Sequence, residues 1–306
     1  MTPMRVGVIG AGRVGAVLAA GLRRAGHEIV AVAGESDASR RRAADLLPGV
    51  PVLKPTAVAR AADAVLLTVP DDMLDNVATM LSAAGAIRKG QVVIHTSGRH
   101  GLAVLTPAIA VGARAIAMHP AMTFTGTELD LPRLRGCVFG VTTGPAEREL
   151  AESLVGDLGG LPMFVPESRR TLYHAGLAHG ANHLVTLVSQ AMELLGAAGA
   201  DDPAATLRPL LNAALDNALA HGDAALTGPI VRGDAGTVRG HLGEIAANAP
   251  HTLPSYVAMA RATLDRVVTD GRVLPIRANR IRQVLDEALA AVDVMVEPGQ
   301  SIDDRI

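Results

Sequence analysis

The sequence predicts an α/β domain, built on a doubly wound and mostly parallel sheet, followed by an all-α domain. Three observations predict it. Short apolar runs alternate with alanine-rich helical stretches through the first half, a glycine-rich turn joins the first run to the first helix, and no strand pattern recurs after Pro166. Such alternation builds parallel sheets, because each parallel pair of strands needs a crossover between them. The expected boundary gives one domain over residues 1–165 and another over 166–306, and 306 residues at about 150 per domain fit two.

Strands are expected at Arg5–Ile9, Ile29–Ala33, Ala64–Val69, Gln91–His95, Ala113–Met118, Cys137–Val141 and Pro162–Val165. Several are apolar almost throughout, as strands covered by helices on both faces tend to be. Between them the helical pattern covers Arg13–Ala25, Ala38–Leu47, Leu74–Ala84 and Ala146–Leu158. The second half reads as long helices near Ser168–Gly196, Pro203–His221, Gly236–Ala247, Pro254–Thr269 and Pro275–Val296, with a frayed tail at Ser301–Ile306. Asp202 before Pro203, and Asp234 before a helical run, are helix starts by type.

Composition narrows the function. Hydrophobic residues make up 49% and charged residues 19%, which excludes a disordered chain. A net charge of -2, with three phenylalanines, two tyrosines and no tryptophan, offers neither the field nor the stacking platform that nucleic acid needs. Cys137 is the single cysteine, so no internal disulfide forms and a reducing, cytoplasmic setting is expected. No apolar run reaches the roughly 18–20 residues of a membrane span, and Met1–Val8 run straight into a strand without the pattern of a signal peptide.

The glycine turn is Gly10-Ala11-Gly12-Arg13-Val14-Gly15, after the strand Val6–Ile9 and at the head of a helix. This is the dinucleotide fingerprint of a Rossmann domain in its required context. Gly10 permits the tight turn, Gly12 lets a pyrophosphate approach the backbone, and Gly15 lets helix and strand pack closely. A phosphate there meets free amides and the positive end of the helix dipole. Choice of cofactor turns on the end of the second strand. Glu35 stands where an acid binds ribose hydroxyls and favours NAD, whereas Ser36, Ser39 and Arg40–Arg42 suit a 2′-phosphate and favour NADP. Equally, Ser36 or Asp37 caps the next helix and the arginines form its solvated face. NAD and NADP both stay open. Val69-Pro70-Asp71 ends a further strand at the carboxyl edge, where open sheets bind ligands.

A dehydrogenase also needs a group that gives or takes a proton, and lysine is one common choice. Lys54 and Lys89 are the only lysines, so the helical half has none and histidine becomes the natural replacement. His95-Thr96-Ser97-Gly98 and His119-Pro120 both close expected strands, so both are expected to emerge at the ligand edge. On the first long helix stand Tyr173, His174, His179, Asn182 and His183, with His174 and Asn182 eight apart and near one face. His179 and His183 are spaced to share a zinc ion, but no third ligand accompanies them and no metal is expected. Within Thr227–Asp234, Gly228-Pro229 and Gly233-Asp234 make a turn and a cap, while Arg232 offers a planar fork for a substrate carboxylate.

Taken together these segments resemble a branch of the 6-phosphogluconate-dehydrogenase-like superfamily that pairs a Rossmann-like domain with a helical domain of unknown function. The resemblance rests on Gly10–Gly15, Val69-Pro70, His95–Gly98, His119-Pro120 with Phe124, Tyr173-His174-Ala175 with Asn182, and Ala225–Pro229 with Arg232-Gly233-Asp234 and His241. It implies a homodimer formed through the helical domain, an active site between the domains, and, as in some members, reduction of ketopantoate to pantoate on the route to pantothenate and coenzyme A. Ketopantoate reductases of the better-known kind carry a lysine and an asparagine on this helix; Asn182 matches the asparagine, but Ala178 stands where the lysine is expected. Ser97 and His119-Pro120 are also similar to elements of prephenate dehydrogenases, which makes His119 the first choice of acid or base. Glu35 departs from an NADPH-using member. The leading expectation is an NAD(P)-dependent reductase of a small 2-oxo acid, with Asn182 polarising the oxo group, His119 or His174 supplying the proton, Ser97 nearby and Arg232 on the carboxylate. A prephenate-dehydrogenase-like enzyme and a non-catalytic dinucleotide-binding sensor are the alternatives.

Overall fold

In the computed structural model residues 2–295 are described, so the tail at Ser301–Ile306 lies outside the described residues. Seven strands form one sheet: β1 (Arg5–Ile9), β2 (Glu28–Ala33), β3 (Ala64–Leu67), β4 (Val92–His95), β5 (Arg114–Pro120), β6 (Val138–Thr143) and β7 (Leu161–Phe164). Their order is β2-β1-β3-β4-β5-β6-β7. The chain winds outward from β1 to β2, then returns to lay β3 on the other side of β1, which creates a topological switch point at the carboxyl ends of β1 and β3. Each expected strand is present within a few residues. Alone among the pairs, β5 and β6 run antiparallel. The reason lies in their connection, which holds only the single 3-10 turns Glu128–Asp130 and Pro132–Leu134 and no crossover helix.

Helices cover both faces: α1 (Arg13–Arg24), α2 (Asp37–Leu46), α3 (Pro55–Ala61), α4 (Leu74–Ala83), α5 (Thr106–Ala110) and α6 (Arg148–Asp157). Alternate strand residues go to opposite layers. Val8, Leu66 and Ile94 pack with Val17, Leu18 and Leu154 of α1 and α6, while Val65, Leu67 and Val93 pack with Val58, Leu74 and Leu81 of α3 and α4. Two buried faces explain why these strands are apolar at every position rather than at every second one. The short α3 and α5 are not among the expected helices; each is brief and has proline in its first turn.

After β7 come α7 (Arg170–Leu177), a π turn (Ala178–Asn182) and α8 (His183–Ala197). The single helix expected over Ser168–Gly196 therefore changes register midway. The compact units are residues 1–181 and 182–306, so α7 belongs with the sheet although the last strand ends at Phe164. In the second unit α8 is followed by α9 (Pro203–His221), α10 (Pro229–Arg232), α11 (Ala235–Asn248), α12 (Leu253–Thr269) and α13 (Pro275–Met295). Asp202 caps α9 by accepting from the Ala205 N–H, and Asp234 caps α11 through the Thr237 N–H. Val238, Leu242, Val257, Leu264 and Ile281, from α11, α12 and α13, form the centre of its core. No helix among the described residues is long and apolar enough to cross a membrane.

Candidate active site

At the switch point the fingerprint glycines meet β3. Gly10 has φ +102, and a Cβ there would lie 2.7 Å from the Thr68 carbonyl. A Cβ on Gly15 would collide with the Gly10 carbonyl oxygen and Thr68 Oγ1. Thr68 closes this contact: its N–H donates to Ile9 O at 2.8 Å and its hydroxyl donates to Gly10 O at 2.5 Å. Gly12 is different, because a Cβ there would meet nothing within 4 Å. It is the N-cap of α1, without a side-chain cap and with no acidic residue in the first turn. The amides at the head of α1 thus face open space with a positive dipole end, which is the cradle a pyrophosphate fits.

A cleft of about 1170 Å³ runs from this turn along the carboxyl edge of the sheet. Gly34, Glu35, Ser36 and Lys54 line one end, Gly10, Gly12, Arg13 and Val14 the middle, and Thr68 to Asp71 with Thr96 and Ser97 the other. Val69 and Pro70 are thus in its wall, although β3 stops at Leu67. Ser36 caps α2, accepting from the Ser39 N–H at 3.1 Å. Arg40 donates to Glu35 O and to Asp37 Oδ1, both at 2.6 Å, and is absent from the cleft wall. The cation in that wall at this end is Lys54, carried there by a bridge between Val52 and Val32 and by the Leu53 N–H on Val32 O. No local sequence signal marks it, since the pairing is long-range.

His95 does not emerge at the edge. It is the last residue of β4 and fully buried, with Nε2 2.7 Å from Gly101 O and Nδ1 accepting from the Ser97 N–H at 3.2 Å. Both ring nitrogens are therefore used, and Nε2 carries the hydrogen. Burial pushes its pKa down to about 4. The expectation of an outward-facing group is corrected: the imidazole is buried, and its two hydrogen bonds pin the following loop. Ser97 is also buried, and its hydroxyl accepts from the His100 N–H at 3.1 Å.

His119, near the end of β5, is half-buried and 2.9 Å through Nδ1 from the Tyr173 hydroxyl. The His174 ring stands edge-on to it, with centroids 6.0 Å apart. Space for both comes from glycine. A Cβ on Gly98 would collide with His174 and lie 3.1 Å from His119 Nε2, and a Cβ on Gly140 would lie 2.5 Å from Tyr173 Cζ. Burial, then the charge of Arg170 and the neighbouring His174, hold the His119 pKa at about 4. At neutral pH it is therefore an uncharged imidazole.

Arg170 carries the site, yet no motif in the sequence marks it. It is fully buried, and its hydrogen-bond partners are carbonyls: Nε donates to His100 O and Nη1 to Gly140 O, both at 2.9 Å, and Nη2 to Ser97 O. An isolated buried charge costs several kcal/mol, and three acceptors offset that cost. Burial lowers its pKa. Just upstream, the Glu167 carboxylate accepts from the Leu102 N–H at 2.7 Å and the Ala103 N–H at 3.2 Å. The loop 97–103 is thus held by its carbonyls and its amides from one short stretch of chain.

Asn182 and Arg232 belong to the second unit. Asn182 is exposed at the end of the π turn, whose wider spacing removes the basis for setting it on one face with His174 by an eight-residue interval. Arg232 is exposed at the end of the four-residue α10, and its carbonyl accepts from Arg277 Nη1 at 3.2 Å. His179 and His183 are exposed, and among the described residues no three His, Cys, Asp or Glu side chains gather as metal ligands do.

Residues 1–120 match the family model of a Rossmann-like domain, and residues 137–263 match that of a domain of unknown function, DUF2520. Among solved structures, the chain is similar to a candidate NADP oxidoreductase from Bacteroides fragilis, at 19% identity and TM-score 0.74, over 86% of this chain and 98% of that one. It is also similar to an imine reductase from Myxococcus stipitatus in complex with NADP+, at 15% identity and TM-score 0.64, over 93% and 99% of the two chains. A pyrroline-5-carboxylate reductase from Coxiella burnetii is a third, at 16% identity and TM-score 0.55, over 92% and 99%. No curated protein matches the sequence. At these identities the likeness is one of fold.

Proposed function

We propose that this chain, a Rossmann-like domain followed by a DUF2520 domain, is an NAD(P)-dependent oxidoreductase acting on a small 2-oxo acid, with ketopantoate the first substrate to test. One observation carries the reading: a cleft of about 1170 Å³ that leads from an uncapped helix N-terminus behind the fingerprint glycines to the Ser97 wall next to Gly98 and His119. The donor set fits a dinucleotide. The amides at the head of α1 with Gly12 would hold the pyrophosphate, Glu35, Ser36 and Lys54 the adenosine end, and Thr68 to Asp71 with Thr96 the nicotinamide end. Bound there, the cofactor would supply the hydride equivalent at its nicotinamide ring.

The chain's own residues then have plain tasks. His119 as an uncharged imidazole would donate a hydrogen bond to the oxo group and to the alkoxide it becomes, the proton arriving from water in reduction and leaving to water in oxidation. Lys54 in the cleft wall supports NADP over NAD, while Glu35 beside it supports the reverse. The roles proposed for Asn182, on the oxo group, and Arg232, on the carboxylate, are tested by Asn182→Ala and Arg232→Ala, which are expected to lower kcat and raise the KM of the acid respectively. Purified protein with NADPH or NADH and ketopantoate is expected to consume the reduced nicotinamide. Binding of either dinucleotide without turnover of ketopantoate or any other 2-oxo acid would leave a sensor, and absence of binding would end the reading altogether.

A homodimer through the helical unit is part of the proposal. The apolar side chains of α8 and α9 support it: Val185 is 66% exposed, Leu210 65% and Leu219 80%. A second copy covering them would give a mass of two chains by light scattering, and Val185→Asp would shift it to one. That Cys137 is the single cysteine, so that no internal disulfide can form, supports a reducing cytoplasm as the place of action.

A further inference from the structure

We infer that Tyr173 is a positioning residue for His119: its hydroxyl donates to Nδ1 and so leaves Nε2 as the N–H of an uncharged imidazole beside Gly98. The catalytic meaning of this inference rests on the proposed oxidoreductase reading, whereas the placement of the proton does not.

The 2.9 Å separation alone allows either direction, so the surroundings decide it. The Tyr173 oxygen sits over Gly140, and a Cβ there would come within 2.6 Å of it. The Tyr173 hydroxyl has one hydrogen-bond partner among the described residues, His119 Nδ1. If His119 Nδ1–H were the donor, the phenol hydrogen would have no acceptor among the described residues. Leaving such a polar group unpaired when buried costs about 1–3 kcal/mol. Turned the other way, the hydroxyl donates to Nδ1 and every polar atom of the pair but Nε2 is used.

Nε2 has no partner among the described residues, and it lies beside Gly98, one residue past the Ser97 of the cleft wall. The groups facing His119 are Tyr173, His174 and Arg170 around α7, His95 at the end of β4 and Asp71 after β3. Asp71 favours the cation, but burial, Arg170, His174 and His95 oppose it, so the ring stays neutral. A neutral N–H of this kind polarises an oxo group without first being charged. Tyr173 selects which nitrogen bears that hydrogen.

Full-length protein labelled with nitrogen-15 histidine gives the test. His119, assigned by its loss in His119→Gln, is expected as the Nε2–H tautomer at neutral pH, uncharged down to near pH 4. In Tyr173→Phe, with unchanged circular dichroism and dinucleotide affinity, Nδ1 loses its donor. The tautomers are then expected to mix, the titration to move upward, and kcat for an oxo acid to fall about tenfold or more while the cofactor KM holds. An Nδ1–H tautomer in the unsubstituted protein, a titration in the ordinary histidine range, or an unchanged tautomer in Tyr173→Phe would overturn the inference. Should Tyr173→Phe fail to fold, the unsubstituted protein's tautomer still decides. An Nε2–H tautomer in a protein that turns over no oxo acid would end the proposed function and leave this assignment standing; turnover by an Nδ1–H imidazole would do the reverse.

Discussion

The ends of β4 and β5 lie side by side in the sheet, and each presents a histidine whose pKa is held at about 4. There the likeness stops. His95 spends both nitrogens on its own loop, whereas His119 ties one to Tyr173 and keeps the other beside Gly98. A depressed pKa, read by itself, marks both as candidates for chemistry. The inventory of hydrogen bonds separates a ring with both nitrogens fastened from one with a nitrogen unpartnered among the described residues, and this is the more general lesson of the pair.

The sharpest way to break that contrast is substitution. His119→Ala is expected to lower kcat by about 10²–10⁴-fold with the fold and dinucleotide affinity intact. His95→Ala is expected to cost about 2–4 kcal/mol in a denaturant titration, since it leaves a cavity and strands the Gly101 carbonyl and the Ser97 N–H. If the two variants behave alike, the contrast is wrong. A smaller effect is expected from Gly98→Ala, whose Cβ would collide with His174 and crowd His119 Nε2. It is expected to lower kcat up to about a hundredfold by displacement and to leave the dinucleotide Kd unchanged.

Acid gives a third test. In the unfolded chain histidine titrates near 6.5, so between about pH 6.5 and 4 the unfolded state binds more protons than the folded one. Stability from the two neutral rings is therefore complete above pH 6.5 and lost as pH falls toward 4. The loss is about 3 kcal/mol at most for buried His95 and less for half-buried His119. Denaturation midpoints at pH 7 and pH 5 are expected to differ, and His95→Gln is expected to flatten the difference more than His119→Gln does. The smallest effect concerns another pair, the cations near the end of β2. Arg40 is committed to Asp37 and the Glu35 carbonyl, and Lys54 lies in the cleft wall. Lys54→Ala is expected to weaken NADPH about three- to tenfold, against less than about twofold for Arg40→Ala, as measured by fluorescence titration.

Much of this arrangement is legible in the order of the residues alone. Strands apolar at every position announce two covered faces, and the glycine turn places the cofactor end. The absence of a helical pattern between His119 and Cys137 also carries information, because β6 can then only return antiparallel to β5. The proton end is legible as residue types and not as an arrangement. His119 and Tyr173 are 54 residues apart, and Arg170 reaches a carbonyl 73 residues away, so no local period links them. Nor does sequence reveal a π turn, which a run of Ala, Gly and Asn permits without demanding.

Arg170 and Glu167 give the loop 97–103 a mechanical character of its own. A flexible loop beside a cleft ordinarily moves on its own timescale, independent of the helices around it. Here the loop is gripped from the start of α7, the helix that also bears Tyr173 and His174. Wall and proton-holding side chains are thus one lever arm, and any displacement of α7 carries the Ser97 wall and the Tyr173 hydroxyl in step. The Ser97 wall and the Tyr173 hydroxyl are joined through Arg170 and Glu167 at the head of one helix.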